Sequence, residues 1–231
     1  MMGWAVIVCS IVYSARTVLE RDVEQFGATA DGATFSGDAF NAAITFVSGK
    51  GGGVVHARGG GAYIVGGVQM KSNVTLYIAP NSSVLGSSDP ARWTRTQSDL
   101  TIPPECDGVN MMLAPGPDGV RLSFPRVVSP GPRGGLFWAN MASNFTIRGG
   151  ADHTVLGQGA VVGGAGQYFN HDTRRSSMFT FVQCEDVLVT DLTVRNSSAW
   201  TLVPIFSKRV AFKRLHICAR GAPWPVVENP P

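Results

Sequence analysis

The chain has 231 residues, of which 44% are hydrophobic and 15% are charged, and this balance excludes disorder for most of its length. Its net charge is +3 and no run of Lys or Arg exceeds two residues, so the sequence does not favour nucleic-acid binding. The 28 glycines and 14 prolines break long helices. They indicate an all-β chain that forms one domain, or one large piece of a domain.

The first fifteen residues, MMGWAVIVCSIVYSA, are mostly apolar and end in small residues. This stretch is too short to span a bilayer, and it predicts a secretory signal peptide over residues 1–15. We therefore expect a secreted, extracellular protein without a membrane span. An apolar first strand or a mis-assigned start codon would give the same pattern.

Residues 36–48 carry the pattern of one short amphipathic helix. The apolar residues at helical spacing are Ala39, Phe40, Ala43, Ile44 and Val47. Ser36 or Asp38 is available to cap the first amides, and the glycines within residues 49–53 are typical of a helix end.

The helix is followed by short β-branched runs, in which a repeat becomes visible. SNVTLYIAPNSSVLG from Ser72 matches SNFTIRGGADHTVLG from Ser143, and EDVLVTDLTV from Glu185 is followed by KRVAFKRLHI from Lys208 at a spacing of 23 residues. The earlier spacings, 71 and 42 residues, are close to three and two such periods. Because the Leu-x-x-Leu-x-Leu frame of leucine-rich repeats is absent, the period predicts a parallel β-helix, a single-stranded solenoid.

Stacked coils bury a continuous core, but the first coil of a solenoid would expose an open sheet edge and an apolar end. We predict that the helix at residues 38–47 covers this end as an amino-terminal cap.

Two stretches interrupt the repeat. Seven of the fourteen prolines fall between residues 103 and 132, and Pro cannot donate to a β-ladder, so we predict a Pro/Gly-rich insertion at about 89–135. Residues 163–177, which contain NHDTRR, predict a second loop. Loops that leave the same side of a β-helix would wall a groove.

Four Asn-x-Ser/Thr sequons are possible glycosylation sites if the chain is secreted: Asn73, Asn81, Asn144 and Asn196. Asn73 and Asn144 occupy the same repeat position, where a turn asparagine tolerates unusual backbone angles. We therefore favour a structural role for these two.

The cysteines and histidines do not predict a metal site. Neither set has metal-ligand spacing, and the residues are Cys9, Cys106, Cys184, Cys218, His56, His153, His171 and His216. Outside the predicted signal, one disulfide with a leftover thiol and three buried thiols are equally allowed.

Acid-base chemistry on a glycosidic bond needs carboxylates that converge on one face, and in a β-helix these are neighbours or equivalents one coil apart. Asp186 and Asp191 are the nearest candidates, but we interpret both as structural or solvent-facing. We expect Asp22, Asp31 and Asp38 to fix turns and cap the helix rather than to form a site.

The basic residues are densest in two short stretches: Arg174, Arg175, Lys208, Arg209, Lys213 and Arg214. On neighbouring coils some of them would form a surface that attracts an anionic polymer, and ordinary solvated strand faces are the simpler interpretation.

At this point the sequence resembles a known family. FGATADGATFSGDAFNAAI, the later TVLGQG, and FTFVQCEDVLVTDLTVRNSSAWTLVPIFSKRVAFKRLHICA resemble the amino-terminal region of glycoside hydrolase family 28, the polygalacturonase-like enzymes. Leu156 stands where that family usually has Asp. The resemblance covers residues 22–222 and leaves 223–231 as a tail. It implies a right-handed parallel β-helix that hydrolyses pectic or related polysaccharides with inversion and without a cofactor.

The catalytic motifs of that family are not found here. They are Asn-Thr-Asp-Gly, Asp-Asp, Gly-His-Gly and Arg-x-Lys, and they follow the matched region, whereas this chain continues as PVVENPP. No catalytic residue can be assigned, and the chain as given is expected to be an inactive fragment of a polysaccharide hydrolase. Its last coil would be an open edge available for self-association.

Two alternatives stay open. One is a non-catalytic carbohydrate-binding or surface β-helix protein, and the other is a related enzyme of the pectate lyase or epimerase kind. The coil that contains Trp200 favours the hydrolase. The partner expected in each case is a polysaccharide.

Overall fold

The computed structural model describes residues 18–87, 89, 92, 135–150, 160–162, 177–197 and 200–218, with the backbone alone for 160–162. The predicted signal peptide, most of the predicted insertion and the tail lie outside these residues. The described residues form sixteen strands, one α-helix and one 3-10 helix. The strands are short because glycines and turn residues interrupt the β-branched runs.

The strands belong to three parallel sheets. The first sheet contains, in spatial order, β1 (Glu20–Asp22), β3 (Gly53–Ala57), β6 (Val74–Ile78), β9 (Ser143–Gly149), β12 (Glu185–Thr190) and β15 (Lys208–Lys213). The second contains β2 (Asp31–Phe35), β4 (Ala62–Val65), β7 (Ser83–Gly86), β10 (Ala160–Val162), β13 (Thr193–Arg195) and β16 (His216–Cys218). The third contains β5 (Val68–Gln69), β8 (Phe137–Asn140), β11 (Phe179–Val182) and β14 (Leu202–Ile205).

From β3 onward the chain visits the first, second and third sheet in turn and then returns to the first, one strand further along. This path makes a right-handed parallel β-helix and confirms the predicted fold class. The register also reproduces the sequence spacings of 71, 42 and 23 residues. Thr75 pairs with Thr146, Ser143 with Glu185, and Glu185 with Lys208.

The helix α1 (Gly37–Gly49) confirms the predicted cap. Its apolar face packs against the first coils, and five buried side chains form it: Ala39, Phe40, Ala43, Ile44 and Val47. The expected side-chain cap is wrong, because Ser36 occupies the N-cap position without bonding the helix amides. Its hydroxyl accepts from the Thr29 amide at 3.0 Å and lies 3.1 Å from the Thr29 carbonyl, which ties the preceding loop to the helix start.

A buried tyrosine pins the amino-terminal segment to the second coil. The Tyr63 hydroxyl donates to Glu24 Oε1, in the 3-10 helix Val23–Phe26, and accepts from the Gly59 amide at 2.6 Å. Its ring packs edge-on against Phe40 of the cap, with ring centroids 5.3 Å apart. The cap and the first turn of chain are therefore held by the same side chain.

The turns into the first sheet use residues in the left-handed region. Asn73 and Asn144 have φ of 63° and 54°, and the Asn144 amide donates to Asn73 Oδ1 at 2.9 Å. Asp186 and Arg209 take the same conformation on the next two coils, with φ of 56° and 52°. This stacking agrees with the predicted structural role of the two asparagines.

The strand bounds also place the two predicted loops. Gly86 ends β7 and Phe137 begins β8, while Val162 ends β10 and Phe179 begins β11. Both long connections therefore join the second sheet to the third, on adjacent coils. The residues within these connections lie mostly outside the described ranges. In the described part of the chain, none of the helices has the length and apolar character needed to cross a membrane.

Candidate functional site

The third sheet is the one that the chain enters after both long connections. Strand alternation divides its residues into inward and outward rows. Phe137 and Phe179 point into the core, where their rings stack with centroids 5.4 Å apart. The residues next to them point outward, and in register they are Gln69, Trp138, Thr180 and Val203. We call these four residues the third-sheet face.

The third-sheet face combines an indole, a hydroxyl and an amide. Trp138 and Thr180 are only 3% and 2% exposed, although neither belongs to the core cluster or to an inward row. Among the described residues, no hydrogen-bond partner reaches Trp138 Nε1 or Thr180 Oγ1. Buried polar atoms are normally paired with protein or ordered water, so these two atoms are places where an ordered water would complete the hydrogen bonding.

Trp200 lies on the same side of the solenoid, immediately before β14. Its carbonyl accepts from the Met178 amide at 3.0 Å, which fixes its backbone one coil beyond Ser177. Its side chain is 61% exposed. An exposed indole at the start of a strand of this sheet is suited to packing against the apolar face of a sugar.

Asp186 and Asp191 do not form a shared catalytic site. Both lie in left-handed turns at the ends of β12, and each pairs with an arginine one coil further along. Arg209 contacts Asp186 at 2.6 and 2.9 Å, and Arg214 contacts Asp191 at 2.5 and 2.8 Å. The hydrogen bond from Arg209 lowers the pKa of Asp186, which keeps it ionised. This geometry matches the structural interpretation of both residues.

The basic residues fall into two groups. Arg209 and Arg214 are neutralised by carboxylates, whereas Lys208 and Lys213 are exposed on the same strand. Arg174 and Arg175 lie outside the described residues. The density of Lys and Arg along the sequence did not distinguish paired from unpaired cations, because pairing depends on which residues stack one coil apart.

Among the histidines, His56 is part of an ion-pair network on the outer face of the first sheet. His56 Nε2 lies 3.0 Å from Glu20 Oε2, and Arg58 contacts Glu20 at 3.4 Å and Asp22 at 3.2 Å. Burial lowers the pKa of His56, and Arg58 adds to this, while the hydrogen bond with Glu20 opposes it. The network joins β1 to the end of β3. His216, the other described histidine, is exposed in β16.

The described ranges contain no group of His, Cys, Asp and Glu that could hold a metal ion. Cys184 is a buried thiol outside any disulfide, and burial raises its pKa, so it is an inert core residue. Cys218 is partly exposed in β16. His153, His171, Cys9 and Cys106 lie outside the described residues.

The third-sheet face was missed by sequence reasoning. Gln69, Trp138 and Thr180 belong to three runs that share no motif, and they become neighbours only through the strand register. The alternation of inward and outward side chains along a strand could have found them. In FWAN and FTFV, the outward Trp138 and Thr180 each fall between two core residues, which are phenylalanine or alanine.

No family model and no curated protein matches the chain. Solved structures do match it. A putative glycosyl hydrolase from Parabacteroides merdae has a TM-score of 0.61 at 15% identity, covering 88% of this chain and 76% of that one. A family 28 exopolygalacturonase from Yersinia enterocolitica has a TM-score of 0.57 at 19% identity, covering 87% of this chain. The A-module of a mannuronan C-5 epimerase from Azotobacter vinelandii has a TM-score of 0.50 at 15% identity, covering 84% of this chain and 50% of that one.

At these identities the likeness shows the parallel β-helix fold and nothing finer. The chain spans 39% of the length of the exopolygalacturonase.

Proposed function

We propose that this chain is part of a polysaccharide-acting protein of the polygalacturonase type, and that the third-sheet face is part of its substrate site. One observation carries the proposal. Trp138, Thr180 and Gln69 lie in one outward row of the third sheet, and the exposed Trp200 stands at the start of β14 in the same sheet. Indole, hydroxyl and amide groups are the side chains that hold sugar rings and bond their hydroxyls.

In this proposal the acid and base come from outside the described residues. The third-sheet face has no carboxylate of its own within the described ranges. After β16 in the second sheet, the next strand in the repeating order would belong to the third sheet and pair with β14. An Asn-Thr-Asp-Gly coil in that position would therefore place its aspartate on the third sheet. Two such carboxylates, far enough apart to admit a water, would hydrolyse the glycosidic bond with inversion.

The experiment has two parts. The genomic sequence beyond codon 231 is read for an in-frame Asn-Thr-Asp-Gly coil, and the 231-residue chain is incubated with polygalacturonate while reducing ends are counted. We expect the coil to be present and the chain alone to release no reducing ends. Absence of any such coil, together with saccharide binding, would instead support a non-catalytic carbohydrate-binding protein.

The contribution of the exposed indole can be measured directly. Trp200→Ala should weaken binding of a galacturonate hexamer by roughly fivefold, since a packing contact on an aromatic ring contributes about 1 kcal/mol. Phe46→Ala is the matched control, because Phe46 is a partly exposed aromatic on the capping helix, away from the third sheet. Equal affinity for the two variants would remove Trp200 from the site.

We also propose that residues 1–15 direct secretion and that residues 22–222 form one β-helix domain. The amino-terminal sequence of protein collected from the medium of a secreting host tests the first point. Self-association is proposed through the last described coil, where Ile217 and Phe206 are 50% and 39% exposed. Light scattering across a range of protein concentrations would show whether the mass rises with concentration.

A further inference from the structure

A column of outward residues crosses the first sheet along the solenoid axis. The register places Tyr77 beside Arg148, Arg148 beside Thr190, and Thr190 beside Lys213, on β6, β9, β12 and β15. We call these four residues the basic column. Arg148 and Lys213 are exposed. They are two strands apart, which corresponds to about 10 Å at the usual strand spacing.

The two cations of the basic column have no carboxylate partner, unlike three arginines on or next to the same sheet. Arg58, Arg209 and Arg214 each contact a carboxylate. Within the described residues, no acidic side chain lies within ion-pair distance of Arg148 or Lys213. Their charges are therefore available to a partner.

Arg148 is also held in position before any partner arrives. Its guanidinium lies over the Tyr77 ring, 4.9 Å from the centroid. The Tyr77 ring is in turn packed edge-on against His56, with ring centroids 5.5 Å apart. Stacking restricts the arginine side chain, so less conformational entropy is lost when its N–H groups bind a ligand.

The later strands of the first sheet carry a net positive charge. On β1 and directly after β3, Glu20 and Asp22 are balanced by Arg21 and Arg58. On β9, β12, β15 and the turns after them, the three carboxylates of Glu185, Asp186 and Asp191 are outnumbered by five cations, which are Arg148, Lys208, Arg209, Lys213 and Arg214. A negatively charged chain is therefore attracted to the later coils.

We propose that the basic column binds an acidic polysaccharide, with carboxylates of its uronate residues on Arg148 and Lys213 and the polymer running across the strands. The flat, repetitive sheet favours a polymer with regularly spaced charges over a compact anion. This surface lies on a different sheet from the third-sheet face, so its existence does not depend on the proposed function. It would hold an acidic polymer on the solenoid whether or not the chain acts on that polymer.

The test uses the 231-residue chain and a hexamer of galacturonate, with affinity measured by calorimetry at low and at physiological salt. Arg148→Gln combined with Lys213→Gln should weaken binding by three- to tenfold and flatten its salt dependence, because each exposed charge contact contributes modestly and is screened. A matched control removes two other cations without a carboxylate partner, Arg21→Gln with Lys50→Gln, and should leave affinity within twofold.

Three results would overturn the proposal. These are an unchanged affinity in the Arg148/Lys213 double variant, an equal loss in the Arg21/Lys50 control, and equal binding of a neutral glucose hexamer to the wild-type chain. Thermal melting of each variant shows that the fold is kept. Trp200→Ala distinguishes this proposal from the proposed function. It should weaken binding through the third-sheet face without changing the salt dependence of binding. Loss of salt dependence in that variant would assign the charge contacts to the third sheet.

Discussion

Replacement of Tyr63 by Phe removes one oxygen from the centre of the capped end and leaves the ring in place. That oxygen donates to the Glu24 carboxylate and accepts from the Gly59 amide. A hydrogen bond to a charged group contributes about 1.5–3 kcal/mol and a neutral one about 0.5–1.5 kcal/mol. Because Glu24 is only half-buried, water replaces part of the lost interaction. We therefore expect Tyr63→Phe to lower the free energy of unfolding by about 2 kcal/mol.

Tyr77→Phe is the matched control for this measurement. Tyr77 is half-buried on the first sheet, and no hydrogen bond of its hydroxyl occurs among the described residues. Urea denaturation followed by circular dichroism should show a change of less than about 0.5 kcal/mol for this variant. A Tyr63→Phe variant as stable as Tyr77→Phe would refute the argument that the hydroxyl pins the amino-terminal segment.

A double-mutant cycle with Glu24→Gln separates the pair from its surroundings. If the Tyr63 hydroxyl acts mainly through Glu24, the double variant should be less destabilised than the sum of the singles by about 1 kcal/mol. Strictly additive effects would mean that the Gly59 amide is the partner that matters.

Three further predictions concern the core, a turn and pH. Phe179→Ala should lower the free energy of unfolding by about 3–5 kcal/mol in denaturant titration, because it leaves a cavity beside the stacked Phe137 ring. Met141→Gly should raise the melting temperature, since Met141 has φ of 53° and is 65% exposed, so relief of about 1 kcal/mol of backbone strain outweighs the small loss of contacts. The contribution of His56 to the stability of the wild-type chain should be fully present above its ordinary pKa of 6.5. It should be lost as the pH falls towards the lower folded-state pKa, because the unfolded chain binds the proton first. His56→Gln should remove this dependence in melts recorded between pH 5 and 8, and an unchanged profile would assign the dependence to another group.

The fold could be predicted from the sequence because its determinants are periodic. The helix at Ala39 to Val47 shows the 3.6-residue period, and the coil repeat is visible in pairs such as Asn73 and Asn144. Both patterns are local to the sequence or recur at a nearly constant spacing, so neither needs knowledge of three-dimensional contacts.

The candidate site could not be predicted in the same way. Trp138 and Thr180 are 42 residues apart and share no motif, and the length of the intervening connections decides which strands become neighbours. Left-handed turns at Met141, Gln183 and Phe206 were also missed, because these residue types do not favour φ near 50° and the coil geometry imposes it. The Ser36 cap was wrong for a related reason: the Thr29 backbone competes for the hydroxyl and is its partner in the structure.

The capping helix also gives the solenoid a direction of assembly. Coils of a solenoid contact only their neighbours, and this one has its apolar end sealed by α1 at the side that leaves the ribosome first. The sealed end belongs to the part of the chain that is synthesised first, and each later coil adds a strand edge with which the next coil can pair. Synthesis therefore adds coils along the solenoid axis in the direction away from the sealed end.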